Sequence, residues 1–332
     1  MRAPSLRALF LVGVWLAASL ALAGTVQAAQ RTFASPEAAV EALVTALSAN
    51  DQPGLAAILG DPRLTPGAQK EDSDDVAAFL KEYAAKHDLA KPGADLAVLT
   101  VGGDGWTFPV PIRQRDKAWA FDTRAGMREI FNRNIGRNEL LTMETLMAYV
   151  QAQQEFAARR GQAGTQGQFA CRIFSQPGKK NGLYWQAPPA GPTSPMGPLA
   201  AMAAENECQA LGLKPMAFNG YYFKLLTRQG KNAPGGAHSY LARGRMVLGY
   251  ACLAYPQRYG VSGVVSFLVN QDGVIHQKDL GQKTGRTARA MAAYDPDKTW
   301  VKAEMAEAQP VASAPGPQNA APAPAEPAPA GP

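Results

Sequence analysis

Lys179-Lys180 and Tyr184-Trp185 place two cations just ahead of two flat rings. Arg243, Arg245 and Arg258 flank a second apolar run, Val247 to Tyr255, which ends on another ring. Cations beside rings suit a sugar that carries phosphate or carboxylate, through ion pairing and stacking. Lys179, Lys180, Tyr184, Trp185, Arg243, Arg245 and Arg258 are therefore the candidate contacts for an anionic ligand. A plainer reading fits the same residues: Tyr184 and Trp185 belong to the core, and the basic side chains solvate loop ends.

Other chemistries find less to work with. His87, His238 and His276 are far apart, with no H-x-x-x-H, C-x-x-C or EF-hand spacing, so neither a metal nor a cofactor is expected. Gly260-Val-Ser262-Gly263 lacks the G-x-S-x-G spacing of a nucleophile elbow, and a strand pattern follows it. Gly244 and Gly249 have the step of a phosphate loop without its Lys-Ser/Thr. Asp272, Asp279, Glu205 and Glu207 could do acid–base work on envelope glycans, with His238 or His276 as base. Yet Asp272 suits a hairpin turn, and the two glutamates suit a helix end. No catalytic residue is assigned; a secreted hydrolase stays as the alternative function.

The chain begins with a basic stretch, Met1 to Arg7, then a nearly unbroken apolar run from Ala8 to Ala23 and small residues at Val26 and Ala28. That order predicts a secretory signal peptide over 1–28, with export to the periplasm or cell envelope and no span remaining after cleavage. In an oxidising compartment the three cysteines suggest one pair and one free thiol. Cys252 sits in a strand-like run, which leaves Cys171 and Cys208 as the expected disulfide. Residues 309–332 are mostly Ala and Pro and predict a disordered tail.

Charge divides the rest. The chain carries +6 overall, but Ala29 to Arg159 has 14 basic and 18 acidic residues, while Arg160 to Gln309 has 17 and 8. The asymmetry argues for two units. Nucleic acid is not expected as a partner of an exported chain. An anionic envelope component or another envelope protein is the expected partner of the basic half.

These residues need elements to hold them. Ser35-Pro36 predicts a helix start, and Ala39, Val40, Leu43, Val44 and Leu47 recur at helical spacing. Further helices are expected over Gln52 to Leu59 and Asp74 to Ala90. Strands are expected over Leu96 to Val101, Trp106 to Arg113 and Ala118 to Asp122. Pro109 and Pro111 mark the middle one as an edge strand. A long helix is expected over 124–160, with Gly136 as a break or kink. Strands then follow at Tyr221 to Thr227, Met246 to Tyr255, Val264 to Asn270 and Val274 to Asp279, and Asn270 to Gly273 is a hairpin turn. The expected class is α+β. An N-terminal α+β unit (29–123) and a long helical segment (124–160) precede a C-terminal strand-rich basic unit (161–308). A long helix leading into an antiparallel sheet resembles the pilin-like fold, although the pilin processing signature is missing.

Five runs, in one order, carry a wider resemblance: Asn134 to Leu140, Ser175 to Trp185, Ser194 to Leu199, Gly220 to Thr227 and Asn270 to Gly281. From about Gln30 to Val301 the chain resembles the domain-of-unknown-function 2950 family. The resemblance implies an exported bacterial protein and carries over no catalytic residue. With the composition and charge it leads to a non-enzymatic binding or assembly accessory of the envelope. A pilin-like structural subunit is a further alternative.

Overall fold

The computed structural model describes residues 30–66, 70–161, 167–186 and 193–304. The expected signal peptide and Ala/Pro tail lie outside the described residues. Two compact units divide between Thr123 and Arg124.

In the first unit, α1 (Pro36–Ser48) starts where Ser35 Oγ accepts the amide of Ala38 at 3.1 Å, with proline at the first helical position. α2 (Gln52–Leu59) is capped by Asp51 and stops at Gly60, whose φ of 78° suits glycine. α3 (Lys70–Ala85) ends earlier than expected. Its apolar stripe stops at Tyr83, and Gly102 N–H takes the Lys86 carbonyl at 2.9 Å. Residues 87–90, expected as helix, instead open β1 (His87–Gly93), which pairs antiparallel with β2 (Leu96–Val101).

The run from Trp106 is two strands, β3 (Trp106–Thr107) and β4 (Ile112–Arg115). Pro109 and Pro111 lack amide donors and interrupt the ladder between them. β4 lies between β2 and β5 (Ala118–Phe121) in the order β1-β2-β4-β5, whereas β3, among the described residues, pairs with β2 alone, so the edge position expected for the whole run fits its first piece and not its second. Phe79, Leu99, Phe108, Val110, Ile112 and Phe121 are buried beneath α1–α3.

The second unit begins one residue into α4 (Thr123–Gly161), 39 residues unbroken at Gly136. Short helices α5 (Pro198–Met202) and α6 (Glu205–Ala210) precede β6 (Tyr221–Leu226). Three two-residue strand pieces follow, β7 (Arg228–Gln229), β8 (His238–Ser239) and β9 (Leu241–Ala242), and then β10 (Arg245–Met246). The strand expected from Met246 to Tyr255 is broken. Gly249 has φ 138° and lies so close to Tyr240 that a Cβ there would meet the ring at 2.8 Å. β11 (Ala251–Pro256) resumes beyond it, followed by β12 (Val265–Asn270), β13 (His276–Asp279), α7 (Thr284–Ala290) and β14 (Val301–Lys302).

The main sheet runs β14-β13-β12-β11-β6 and is antiparallel throughout. All six residues of β11 are buried, which explains its continuous apolar run in place of an alternating one. Leu146, Tyr149 and Val150 of α4 share its core. The architecture is α+β: N-terminal helices on a small antiparallel sheet, a long helix, then an antiparallel sheet. No helix among the described residues is long and apolar enough to cross a membrane.

Candidate functional site

The run Phe174 to Gln186 folds back on itself. Ser175 N–H donates to Tyr184 O at 2.8 Å, and Tyr184 N–H donates to Ile173 O at 2.7 Å. Asn181 staples the turn: its Oδ1 accepts the Gln176 amide at 3.0 Å, and its Nδ2 donates to Gln176 Oε1 at 2.9 Å. Gly178 supplies a left-handed φ of 72°. Gly182 passes so close to the facing strand that a Cβ would lie 2.6 Å from Ile173 O. A loop bonded this way holds its side chains in place without a regular element.

Those side chains surround an open hollow of about 380 Å³, lined by Phe174, Gln176, Lys179, Lys180, Tyr184 and Trp185 among others. The Phe174 and Tyr184 rings meet edge to face at 5.7 Å. Lys180 Nζ lies 5.8 Å from the centre of the Trp185 ring, and the Arg159 guanidinium 5.9 Å from it. Cations at that range are attracted to the indole quadrupole. Arg159 also donates to Thr193 O at 3.0 Å and pairs with Glu155. Below the hollow, the Glu207 carboxylate accepts the amides of Ile173, at 2.8 Å to each oxygen, and Phe174, at 3.0 Å. Burial raises the Glu207 pKa, opposed by those amides and by Arg172.

The structure thus brings Lys179, Lys180, Tyr184 and Trp185 together and leaves the three arginines out. Arg243 sits at the β9–β10 turn with φ 50°, and Arg245 opens β10. Arg258 lies in a turn past the other end of β11, where its amide donates to Ser262 Oγ. Six residues of strand, about 20 Å, separate the two arginine groups. Sequence reasoning missed Arg159, which α4 delivers from outside the motif, and Glu207, which looked like an ordinary residue of a helix end. Neither carries a local signal.

The expected disulfide is not formed: all three cysteines are free. The Cys208 thiol is buried and donates weakly to Met202 O at 3.4 Å, while Cys171 packs against the main core. Burial pushes the Cys252 thiol up to about 12, so it is protonated at neutral pH.

The remaining polar candidates serve the fold. Asp279 accepts from Tyr259 Oη and the Gly281 amide, and Asp272 from Asn270 Nδ2 inside the hairpin. Glu205 binds the Tyr255 hydroxyl and Arg289. His238 contacts the Gly236 carbonyl and His276 the Tyr294 hydroxyl. Neither histidine bonds a carboxylate or a serine among the described residues. Among the same residues, no group of three His, Cys, Asp or Glu could hold a metal ion.

The other motif runs join α4 to the sheet. Asn138 Nδ2 donates to Ser262 O at 2.9 Å, and Glu139 accepts the amides of Val264 and Val265 at 2.9 and 3.2 Å. Gly263 leaves space for the Tyr221 hydroxyl, which a Cβ would meet at 2.0 Å.

A family model described as "Protein of unknown function (DUF2950)" matches residues 30–303, nearly all of the described chain, and the chain belongs to that family. No curated protein and no solved structure matches it.

Proposed function

We propose, for a chain of this family, a non-enzymatic binding role in the bacterial cell envelope. The second unit takes an anionic, ring-bearing component at the hollow of Lys179, Lys180, Tyr184 and Trp185. A glycan that carries phosphate or carboxylate has the matching chemistry: its charge meets the lysines and Arg159, and its ring faces stack on the aromatics. Export to the periplasm or envelope, inferred from the basic and apolar start of the chain, belongs to the same reading.

One observation carries it. Two lysines and two rings, expected from their spacing to act together, line one hollow on a self-bonded loop. Co-sedimentation of the mature chain with isolated bacterial envelopes across a salt series tests the reading. Binding that weakens with salt and is lost in the K179E/K180E double variant supports it. Binding that survives both changes, or is lost equally in an R243E/R245E variant, sinks it.

A second reading is favoured by α4, whose inner face shares a core with the antiparallel sheet that follows it. That order suits a pilin-like structural subunit. Such a subunit must self-assemble, so a strictly monomeric profile in sizing chromatography would remove it.

A further inference from the structure

The first unit has a different opening. β1 is the terminal strand of its sheet, and six of its seven residues are exposed. The register fixes which of its backbone groups face outwards. The Leu99 carbonyl accepts from Phe108 on the far side of β2, at 2.8 Å. Leu89, opposite Leu99, and His87, opposite Val101, therefore form the non-hydrogen-bonded pairs of the β1–β2 ladder. Their amides and carbonyls point away from β2. Neither has a backbone partner among the described residues.

Beside this edge lies a hollow of about 370 Å³. Val40, Leu89 and Leu99 give it apolar surface. Tyr83 and His87 form one wall, their rings stacked 3.9 Å apart and 11° from parallel. The ion pair of Lys91 Nζ with Glu37 Oε1, 2.8 Å, forms another. His87 and Leu89 share one face of β1 and Asp88 projects from the other; the register shifts between Ala90 and Gly93, so Lys91 stands in an irregular stretch beyond the regular ladder. The unit is acidic, with 14 acidic against 9 basic residues from Ala29 to Thr123.

We infer that the open edge of β1 binds an extended peptide as an added strand, and that the peptide alternates apolar and basic residues. The unpaired amides and carbonyls of His87 and Leu89 call for main-chain partners, which an extended peptide supplies. Its apolar side chains enter the hollow, against Val40, Leu89 and the Tyr83–His87 stack. Its basic side chains lie on the opposite face, near Asp88. Pro92 ends the usable edge, so the added strand is short. A second copy of β1 fits less well. Antiparallel pairing centred on Leu89 would set each copy's His87 against the other's irregular stretch after Ala90, so only a very short regular ladder could form.

The test uses the full chain and a blocked hexapeptide of alternating valine and lysine. Two control peptides accompany it, one with glutamate for lysine and one N-methylated at the residues that would donate to β1. Titration calorimetry gives affinity, and hydrogen exchange reports on the amides of His87 and Leu89. The valine–lysine peptide is expected to slow exchange at both amides, and each control to bind at least about tenfold more weakly. Leu89→Pro removes an outward donor that the β1–β2 ladder does not use, and should weaken binding to the same degree. Should that variant fold poorly, the N-methylated peptide on the unaltered protein decides the matter. Equal binding of the N-methylated peptide overturns the proposal, as does a lack of protection at saturating peptide. So does protection without peptide that rises with protein concentration alongside a dimer in sizing chromatography, because a second copy would then cover the edge.

Discussion

The two hollows enclose nearly equal volumes, about 380 Å³ in the second unit and about 370 Å³ in the first, and each has aromatic walls. They differ in how charge is balanced. Around Trp185, Arg159 and Lys180 gather on one ring; Arg159 is paired with Glu155 and Glu207 holds backbone amides, while among the described residues the hollow itself is lined by two lysines and no carboxylate. In the first unit Lys91 is matched by Glu37 across 2.8 Å, so the hollow carries little net field of its own. Size and ring content therefore do not set the ligand. A hollow rich in cations can recruit an anion through charge, whereas a neutralised one needs another source of affinity, here an open strand edge.

The largest effect expected is from Gly182→Val. Backbone atoms of Ile173, Phe174 and Ser175 lie within 2.6–2.7 Å of where a Cβ would sit, so no side-chain movement relieves the clash. Overpacking of this kind costs about 3 kcal/mol, and the loop that shapes the cationic hollow must shift. Chemical denaturation should show the loss, and envelope binding should fall with it. Peptide protection at His87 and Leu89 should be untouched, and a parallel loss there would break the separation of the two sites.

The K179E/K180E variant is milder for the fold and sharper for function. Both residues are exposed, so melting should barely move, while low-salt binding should fall at least about tenfold and lose its dependence on salt. A binding curve that keeps its slope against salt would assign the electrostatics elsewhere.

Glu207→Ala comes next. It strands the Ile173 and Phe174 amides at a cost of about 1–2 kcal/mol, readable as a lower denaturation midpoint. The pH dependence has a definite sign. Burial raises the Glu207 pKa above its ordinary value of 4.5, so the folded chain holds its proton more tightly than the unfolded chain does. Between those two pKa values the group's contribution to stability is lost as pH rises and regained on acidification. Glu207→Gln should remove that component of the pH–stability curve. An unchanged curve would show that the carboxyl titrates normally.

Local signals told a large part of this fold. Ser35-Pro36, the repeat from Ala39 to Leu47, and the Asn270–Gly273 turn each specify their element through neighbours a few residues away, and each element formed. Failures came where a distant partner decides. Residues 87–90 continue a helical composition, yet β2 takes them as a strand. Met246 to Tyr255 reads as one run until the Tyr240 ring forces a turn at Gly249. In the candidate site, Lys179, Lys180, Tyr184 and Trp185 were legible because seven consecutive residues contain all four. Arg159 and Glu207 reach the loop through tertiary packing alone, whereas the separation of Arg243 and Arg245 from Arg258 was already implied by the strand expected between them. The cysteine pairing failed for a related reason. The count suggested one bridge, but the Cys208 thiol faces the Met202 carbonyl instead.

The smallest effect sharpens the comparison most directly. Glu37 is pushed down to about 2, first by the hydrogen bond from Lys91, with help from its own amide and Ser35. The folded state therefore favours the charged carboxylate, and the resulting contribution is present above the ordinary value of 4.5 and lost as pH falls towards 2. Both side chains are more than half exposed, so solvent screens the pair, and Lys91→Ala should leave the melting temperature at neutral pH unchanged within error. The carboxyl itself should respond: its NMR titration midpoint should rise towards the ordinary range. Removing Lys91 also takes one positive charge from an already acidic unit, so the cationic valine–lysine peptide should bind somewhat more tightly through the unit's overall field while envelope binding at the second hollow stays constant. If Lys91→Ala leaves both the midpoint and the peptide affinity where they were, the ion pair does not set the charge of this hollow, and the contrast with the cationic one must be sought in its rings.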